Sequence, residues 1–276
     1  MKYIFQKILA ILAKATLWRY RPMIVAITGS VGKTSTKEAI FTVLRTRYRV
    51  RRSEKNYNTE IGVPLTILGI PHCGRNIFKW LFVIMRSVMR VIIRAHEYPQ
   101  VLVLEMAADR PGDIAYLTKL APPFIGVITA IGEIPVHVEF FAGPRAVVEE
   151  KAKLIQALPA DGFAVLNYDD AVLIKLKSHT RADVLLYGFG DEADVRIRDY
   201  ALNASEAQGP PGISFKLEYA GNGAGVKLAN TFGKQQSYAA AAAAAVGLAL
   251  DIPLSEIASA LCHYEAPPGR LKLLRG

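Results

Sequence analysis

The residues best suited to chemistry lie close to the start of the chain. Ile24-Val-Ala-Ile-Thr-Gly29-Ser30-Val31-Gly32-Lys33-Thr34-Ser35-Thr36 runs from an apolar strand through a glycine turn into a helix. Glycines let backbone N–H groups approach an anion, and the start of the helix adds the positive end of its dipole. In that setting Lys33 can reach the β- and γ-phosphates of a nucleotide, and the Thr34 hydroxyl can bind Mg²⁺. The usual longer loop has a glycine where this chain has Ile27, so the spacing is the shorter G-x-x-G-K-T. Binding of ATP or GTP is expected through Gly29, Ser30, Val31, Gly32, Lys33, Thr34 and Ser35. Glu105, at the end of an apolar run, and His137, in a loop, are modest candidates by type and place alone, since a lone histidine is usually structural.

These side chains need a scaffold, and the surrounding pattern predicts one. Short apolar runs at 23–28, 101–105, 124–129, 163–167 and 184–187 read as strands. Helical stretches at 34–45, 113–120 and 144–158 separate several of them. Strands that are apolar throughout and alternate with helices indicate a parallel sheet covered on both faces. Between 194 and 228 the period changes to two, with Val195, Ile197, Ile213, Phe215 and Leu217, which predicts antiparallel strands. The alanine run from Ala239 to Ala245 opens a closely packed helix reaching about Leu250. The expected fold is α/β: a P-loop, Rossmann-like, mostly parallel sheet with helices on both faces and a small antiparallel β subdomain.

Composition narrows the class. With 276 residues, 51% of them hydrophobic, the chain can bury a large core. Cys73 and Cys262 are far apart and form no ligand-spaced pair, so neither a disulfide framework nor a zinc site is suggested, and a reducing cytoplasm fits. The net charge of +10 does not point to nucleic acid, because it is confined to two places. Lys2, Lys7, Lys14, Arg19 and Arg21 in residues 1–21, and Arg75, Lys79, Arg86, Arg90 and Arg94 in residues 75–94, occur with no acid among them. They account for the whole excess, and the remaining surface is balanced. Residues 1–22 read as an amphipathic helix, with neither a signal-peptide cleavage site nor the apolar length of a span. In the second segment the basic residues fall in one stripe, opposite Trp80, Leu81, Val83, Ile84, Val88 and Ile92. That composition suits either a helix packed on its own domain with a solvated basic face, or peripheral contact with the inner face of an anionic membrane.

Five strings in order carry a resemblance. Thr28-Gly-Ser-Val-Gly-Lys-Thr-Ser-Thr-Lys37-Glu38, Asn56-Tyr-Asn58-Thr-Glu-Ile-Gly-Val-Pro64, Glu105-Met-Ala-Ala-Asp-Arg-Pro-Gly112, His137-Val-Glu139-Phe-Phe and Leu166-Asn167-Tyr-Asp169-Asp170 together resemble the central ATP-binding domain of the Mur ligases, and among them the MurF type. The resemblance covers about residues 23–270, with 75–98 as a basic amphipathic helical insertion. It implies an ATP-dependent ligase of peptidoglycan precursor synthesis, which makes an acyl-phosphate from a UDP-muramoyl-peptide carboxylate and joins it to D-alanyl-D-alanine.

Residue by residue, the resemblance implies that Thr34 and Glu105 hold one Mg²⁺ and that His137 and a carbamylated lysine help to place a second. That lysine is expected at Lys151, fourteen residues after His137, with Lys153 as the fallback. Lys33, Glu105, His137 and Lys151 form the implied catalytic set, Asn56 and Asn58 the substrate contacts, and Arg270 a contact to the phosphates. Near the base the family usually has His-Asn-x-x-Asn, whereas this chain has Gln235-Gln236-Ser237-Tyr238-Ala239, so Gln236 is the expected adenine contact. The family's amino-terminal UDP-sugar domain does not fit in the residues before the first strand, and 271–276 reads as the start of a carboxy-terminal domain. A longer gene product or a partner subunit is expected to supply what is missing. Another Mur-type or folylpolyglutamate-synthase-like ligase is the nearest rival, and a non-catalytic ATP-binding module at the membrane is the rival of a different class.

Overall fold

A computed structural model of the protein describes residues 2–54, 57–71, 74, 77–93, 97–132, 140–203 and 210–269, with the backbone alone for 2–4 and 77–79. The expected residues Asn56, His137 and Arg270, and the segment 271–276, lie outside the described residues.

The chain begins with helix α1 (Lys2–Tyr20), followed by strand β1 (Met23–Thr28), α2 (Lys33–Leu44), β2 (Val50–Arg52), α3 (Gly62–Leu68) and α4 (Ile77–Ile92). Next come β3 (Val101–Glu105), α5 (Asp113–Leu120), β4 (Ile125–Ile128), α6 (Pro144–Gln156), β5 (Phe163–Asn167), α7 (Ala171–Ile174) and β6 (Asp183–Gly188). Strands β7 (Val195–Asn203), β8 (Gly212–Tyr219) and β9 (Asn222–Ala229) precede α8 (Lys234–Leu248) and α9 (Leu254–Leu261). All the strands form one sheet in the order β2-β3-β1-β4-β5-β6-β7-β8-β9. Pairing is parallel from β2 through β7 and antiparallel for β7–β8 and β8–β9. The antiparallel strands anticipated over 194–228 are thus hydrogen-bonded onto the parallel sheet at the β6–β7 pair and extend it.

The strands are apolar throughout because both faces are covered. Val25, Ile27, Val103 and Val127 point into a core shared with α2, α8 and α9. Ile24, Ala26, Leu102 and Leu104 alternate with them into a second core under α5 and α6. Ala239 through Ala245 are all buried where α8 meets the sheet and α2, so the alanine run is a device for close helix packing.

A third, smaller core joins α1, α3 and α4 through Leu9, Leu65, Leu68, Ile70 and Val83. The rings of Phe5 and Trp80 meet edge to face at 4.4 Å, and the Tyr20 hydroxyl donates to the Arg90 carbonyl at 2.7 Å. The two basic segments therefore lie side by side, start with start and end with end. Here the expected division of α4 into a basic and an apolar side is corrected. Val83 is buried and Trp80 packs against the small core, Ile84 is half-buried, and Leu81, Val88 and Ile92 are exposed. Arg90 also leaves the solvated stripe: its guanidinium donates to the Leu68 carbonyl at 2.9 Å. Arg51 donates to the carbonyls of Thr66 and Ile67, and Tyr98 also donates to Ile67, so two cations and a phenol close the negative end of α3. Burial lowers the Arg51 pKa and raises that of Tyr98.

Candidate nucleotide and magnesium site

The order of β3, β1 and β4 reverses the direction of chain progression at β1, which places a crevice at the carboxyl ends of β1 and β4. The loop leaving β1 fills one wall of it. Gly29 has φ +147°, and a Cβ there would come within 2.1 Å of Thr129 Oγ1, so the close approach of the two loops excludes a side chain. Gly32, at φ +86°, occupies the left-handed region at the start of α2. The Thr129 hydroxyl donates to Val31 O at 2.6 Å, and Ser30 N donates to Ala130 O at 2.6 Å, so the end of β4 braces the loop. Lys33 Nζ donates to Gly29 O at 2.8 Å and to Ser30 O at 3.3 Å. The buried Ser30 Oγ has no hydrogen-bond partner among the described residues, as expected of a group shaped to meet a ligand.

Across the loop, Glu105 at the end of β3 is 3% exposed. Thr34 Oγ1 donates to its Oε2 and Asn58 Nδ2 to its Oε1, both at 3.3 Å. Lys37, itself buried, has its ammonium 3.8 Å from Glu105 and 3.5 Å from Glu38, which in turn pairs with Arg52 at 2.6 Å. Sequence reasoning missed Lys37, although it stands in the quoted loop string. The Thr34 hydroxyl and the Glu105 carboxylate are hard oxygen donors held side by side. They fit Mg²⁺, which takes one or two carboxylates and completes its shell with water and substrate phosphates.

Lys151 is buried on α6. Burial first, and the repulsion of Lys33 second, push its ammonium down to about 8, while Asp109 and Glu150 pull the other way. Its neighbour Lys153 is half-solvated and ion-paired with Glu150. Burial alone would raise the Glu150 carboxyl, but Lys153 and the N–H groups of Gly112 and Ile114, both at 2.9 Å, hold it below the usual carboxylate range. Lys153 is thereby committed to an ion pair, whereas Lys151 is buried where the neutral amine is favoured.

A cavity of about 740 Å³ opens from the loop toward α8. Its walls include Val31, Gly132, Asn167, Lys175, Gln235 and Tyr238. Gln236 takes no part in this lining: it is buried, and its Oε1 accepts from Tyr264 at 2.8 Å. Gln235, one residue earlier, faces the cavity because the helical step rotates adjacent side chains by about 100°. The two acids of the Leu166–Asp170 string brace the cavity. Asp169 accepts from the N–H groups of Phe189 and Gly190 and from Tyr238 Oη at 2.8 Å, while Asp170 accepts from Ile131 N and Gly132 N. Ser35 is buried, and Tyr264 lies beside it. The site combines a glycine loop at a helix start, a magnesium-suited oxygen pair and a cavity of about 740 Å³.

The family described as the Mur ligase middle domain matches residues 27–78 and 87–247, leaving out a stretch inside α4. A UDP-N-acetylmuramoyl-tripeptide–D-alanyl-D-alanine ligase of Bacillus subtilis is 30% identical over 96% of this chain and 49% of its own length. One of Mycobacterium tuberculosis is 33% identical over 89% of this chain and 41% of its own. Among solved structures, MurF of Thermotoga maritima in complex with ADP superposes with a TM-score of 0.78 at 29% identity, covering 98% of this chain and 55% of that one. MurF of Acinetobacter baumannii, at 22% identity and a TM-score of 0.78, shares the fold. The chain spans about half the length of the curated relatives it matches.

Proposed function

The chain belongs to the Mur ligase family, of which it carries the middle domain, and we propose that it is the ATP-handling part of a ligase of peptidoglycan precursor synthesis. In this reading a UDP-muramoyl-tripeptide is joined to D-alanyl-D-alanine. The observation that carries it is the convergence of Thr34 and Asn58 on buried Glu105, beside a phosphate loop that opens into a nucleoside-sized cavity.

ATP and a carboxylate repel each other, so the site must gather negative charge before an oxygen can attack the γ-phosphorus. Backbone N–H groups of Gly29 to Ser35 and the Lys33 ammonium receive the phosphates, with the Ser30 hydroxyl as a further donor. Arg270 is assigned to the same phosphates, and Gln235, which lines the cavity, to the base. Thr34 and Glu105 hold Mg²⁺, which when bound offsets the charge that develops on the transferred phosphoryl group. The acceptor carboxylate attacks the γ-phosphorus and ADP leaves. The amine of the dipeptide then displaces phosphate from the acyl-phosphate, forming the amide and releasing a proton. Asn56 and Asn58 orient the acceptor.

Lys151 is proposed to react as its neutral amine with CO₂, losing a proton and becoming a carbamate. Its depressed ammonium supports this, because more free amine exists near neutral pH than on an ordinary lysine. The change turns repulsion from Lys33 into attraction and, with His137, provides oxygen and nitrogen donors for a second Mg²⁺. The sites for the UDP-sugar and the dipeptide are assigned to further domains or to a partner subunit. The setting is the cytoplasm, where ATP is available, with a peripheral contact at the inner face of the membrane.

The test is ATP-dependent phosphate release with Mg²⁺ and bicarbonate, with and without the two substrates, alongside Mg²⁺-dependent ATP binding. Glu105→Gln is expected to weaken Mg²⁺-dependent binding about tenfold or more. Lys151→Ala should abolish any substrate-stimulated release. Binding that is indifferent both to Mg²⁺ and to Glu105→Gln would sink the reading.

A further inference from the structure

We propose that the outward face of α4 docks on an anionic lipid bilayer, lying in the headgroup region parallel to the surface. The proposal rests on the peripheral location given above and is independent of the ligase chemistry. Leu81, Phe82, Met85, Val88, Met89 and Ile92 are all exposed on α4, with Leu81 and Ile92 each at 66%. At 100° per residue they occupy an arc of roughly 120°, a contiguous apolar face. Single exposed apolar residues are ordinary, but an apolar stripe of this length on one helix marks an interaction site. None of these side chains serves the small core beneath, which takes Trp80, Val83 and the Arg90 cap on α3.

Charge identifies the occupant. Exposed Arg86 borders the apolar arc, and α1, packed alongside, exposes Lys7, Lys14 and Arg19 together with Ile11 and Trp18. Residues 1–21 and 75–94 hold ten basic side chains and no acid, the whole net charge of the chain. An apolar protein partner would leave that concentration unexplained. A bilayer with acidic headgroups meets both features at once: acyl chains take the apolar arc, and phosphates take the cations. The helix lies on the membrane and does not cross it. Sixteen residues span only about 24 Å, short of the about 30 Å hydrocarbon layer. Among the described residues no helix is long and apolar enough to cross.

The experiment is flotation of the chain with vesicles of phosphatidylglycerol and phosphatidylethanolamine, against vesicles of phosphatidylcholine alone. The chain is expected to float with the anionic vesicles, severalfold less at about 0.5 M salt than at about 0.05 M as the charges are screened. The double substitution Phe82→Gln with Met89→Gln should cut flotation at least tenfold while leaving ATP binding unchanged, since both side chains face outward. Failure to float with anionic vesicles, equal flotation with neutral ones, or flotation untouched by the double variant would each overturn the proposal. So would a concentration-dependent dimer in the absence of lipid that the double variant abolishes, which would assign the face to a second copy. A chain that floats but binds ATP without regard to Mg²⁺ or to Glu105→Gln leaves the docking intact and removes only the ligase reading.

Discussion

The phosphate loop and the α4 helix are both short segments dense in functional residue types, but they hold those residues in opposite ways. Around the loop, polar groups are tied to neighbouring elements, Thr129 to Val31, Thr34 to Glu105 and Asp170 to Gly132, with the Ser30 hydroxyl left open. On α4 only the inner side is tied, by Val83 and Arg90, and the outer side is apolar and uncovered. A segment whose chemistry demands a particular backbone announces itself in sequence. A segment whose chemistry is a surface depends on which side its neighbours leave open.

The comparison is sharpest in stability. Leu104→Ala, in the fully buried strand behind Glu105, is expected to cost about 2–5 kcal/mol through lost burial and a residual cavity. Leu81→Ala on α4 should stay within about 0.5 kcal/mol of wild type. Chemical denaturation of the two variants measures both. A comparable loss at Leu81 would mean that the outer face of α4 is covered by protein.

Lys151 provides a second contrast, in pH. Its folded-state ammonium, near 8, lies below that of an unfolded lysine near about 10.4, so the unfolded chain binds more protons between those values. Stability should therefore rise with pH across that window by on the order of 3 kcal/mol, and the penalty should be fully present below pH about 8. In bicarbonate-free buffer, Lys151→Met is expected to remove that rise. A rise that persists in the variant would assign it to other groups.

The smallest effect separates two arginines of one stripe. Arg90→Ala should cost about 1–2 kcal/mol by opening the carbonyl end of α3. Arg86→Ala should leave stability within about 0.5 kcal/mol. Equal effects, read by thermal melting, would erase the distinction between the tied and the free side of α4.

Much of the scaffold was legible. The strands through Ile24, Leu102, Val127 and Val165 were readable because burial on both faces leaves no polar position to blur them. The three-residue β2 and the seven-residue α3 were not, since elements so short carry less than a full period of pattern and are held by tertiary contacts such as Arg51 on Ile67. In the site, the loop glycines, Lys33 and Thr34 were readable from type and order, whereas Glu105 was a modest candidate until the resemblance named it. Thr129, Lys37 and Gln235 were not, because each acts through a neighbour that is distant in sequence or through one helical step.

By itself, the sequence determined which residues could bind phosphate, where the sheet alternates with helices, and that all the excess charge sits in two amphipathic segments. Those properties are local: left-handed glycine conformations, strand and helix periods, and counts of charge. The tertiary structure alone decided that Lys151 is buried while Lys153 is ion-paired with Glu150, that Gln235 rather than Gln236 lines the cavity, and that α4 turns its apolar arc outward. Each of those choices depends on what packs against a helix from outside its own sequence, and the periodicity of a helix specifies its faces without specifying their partners.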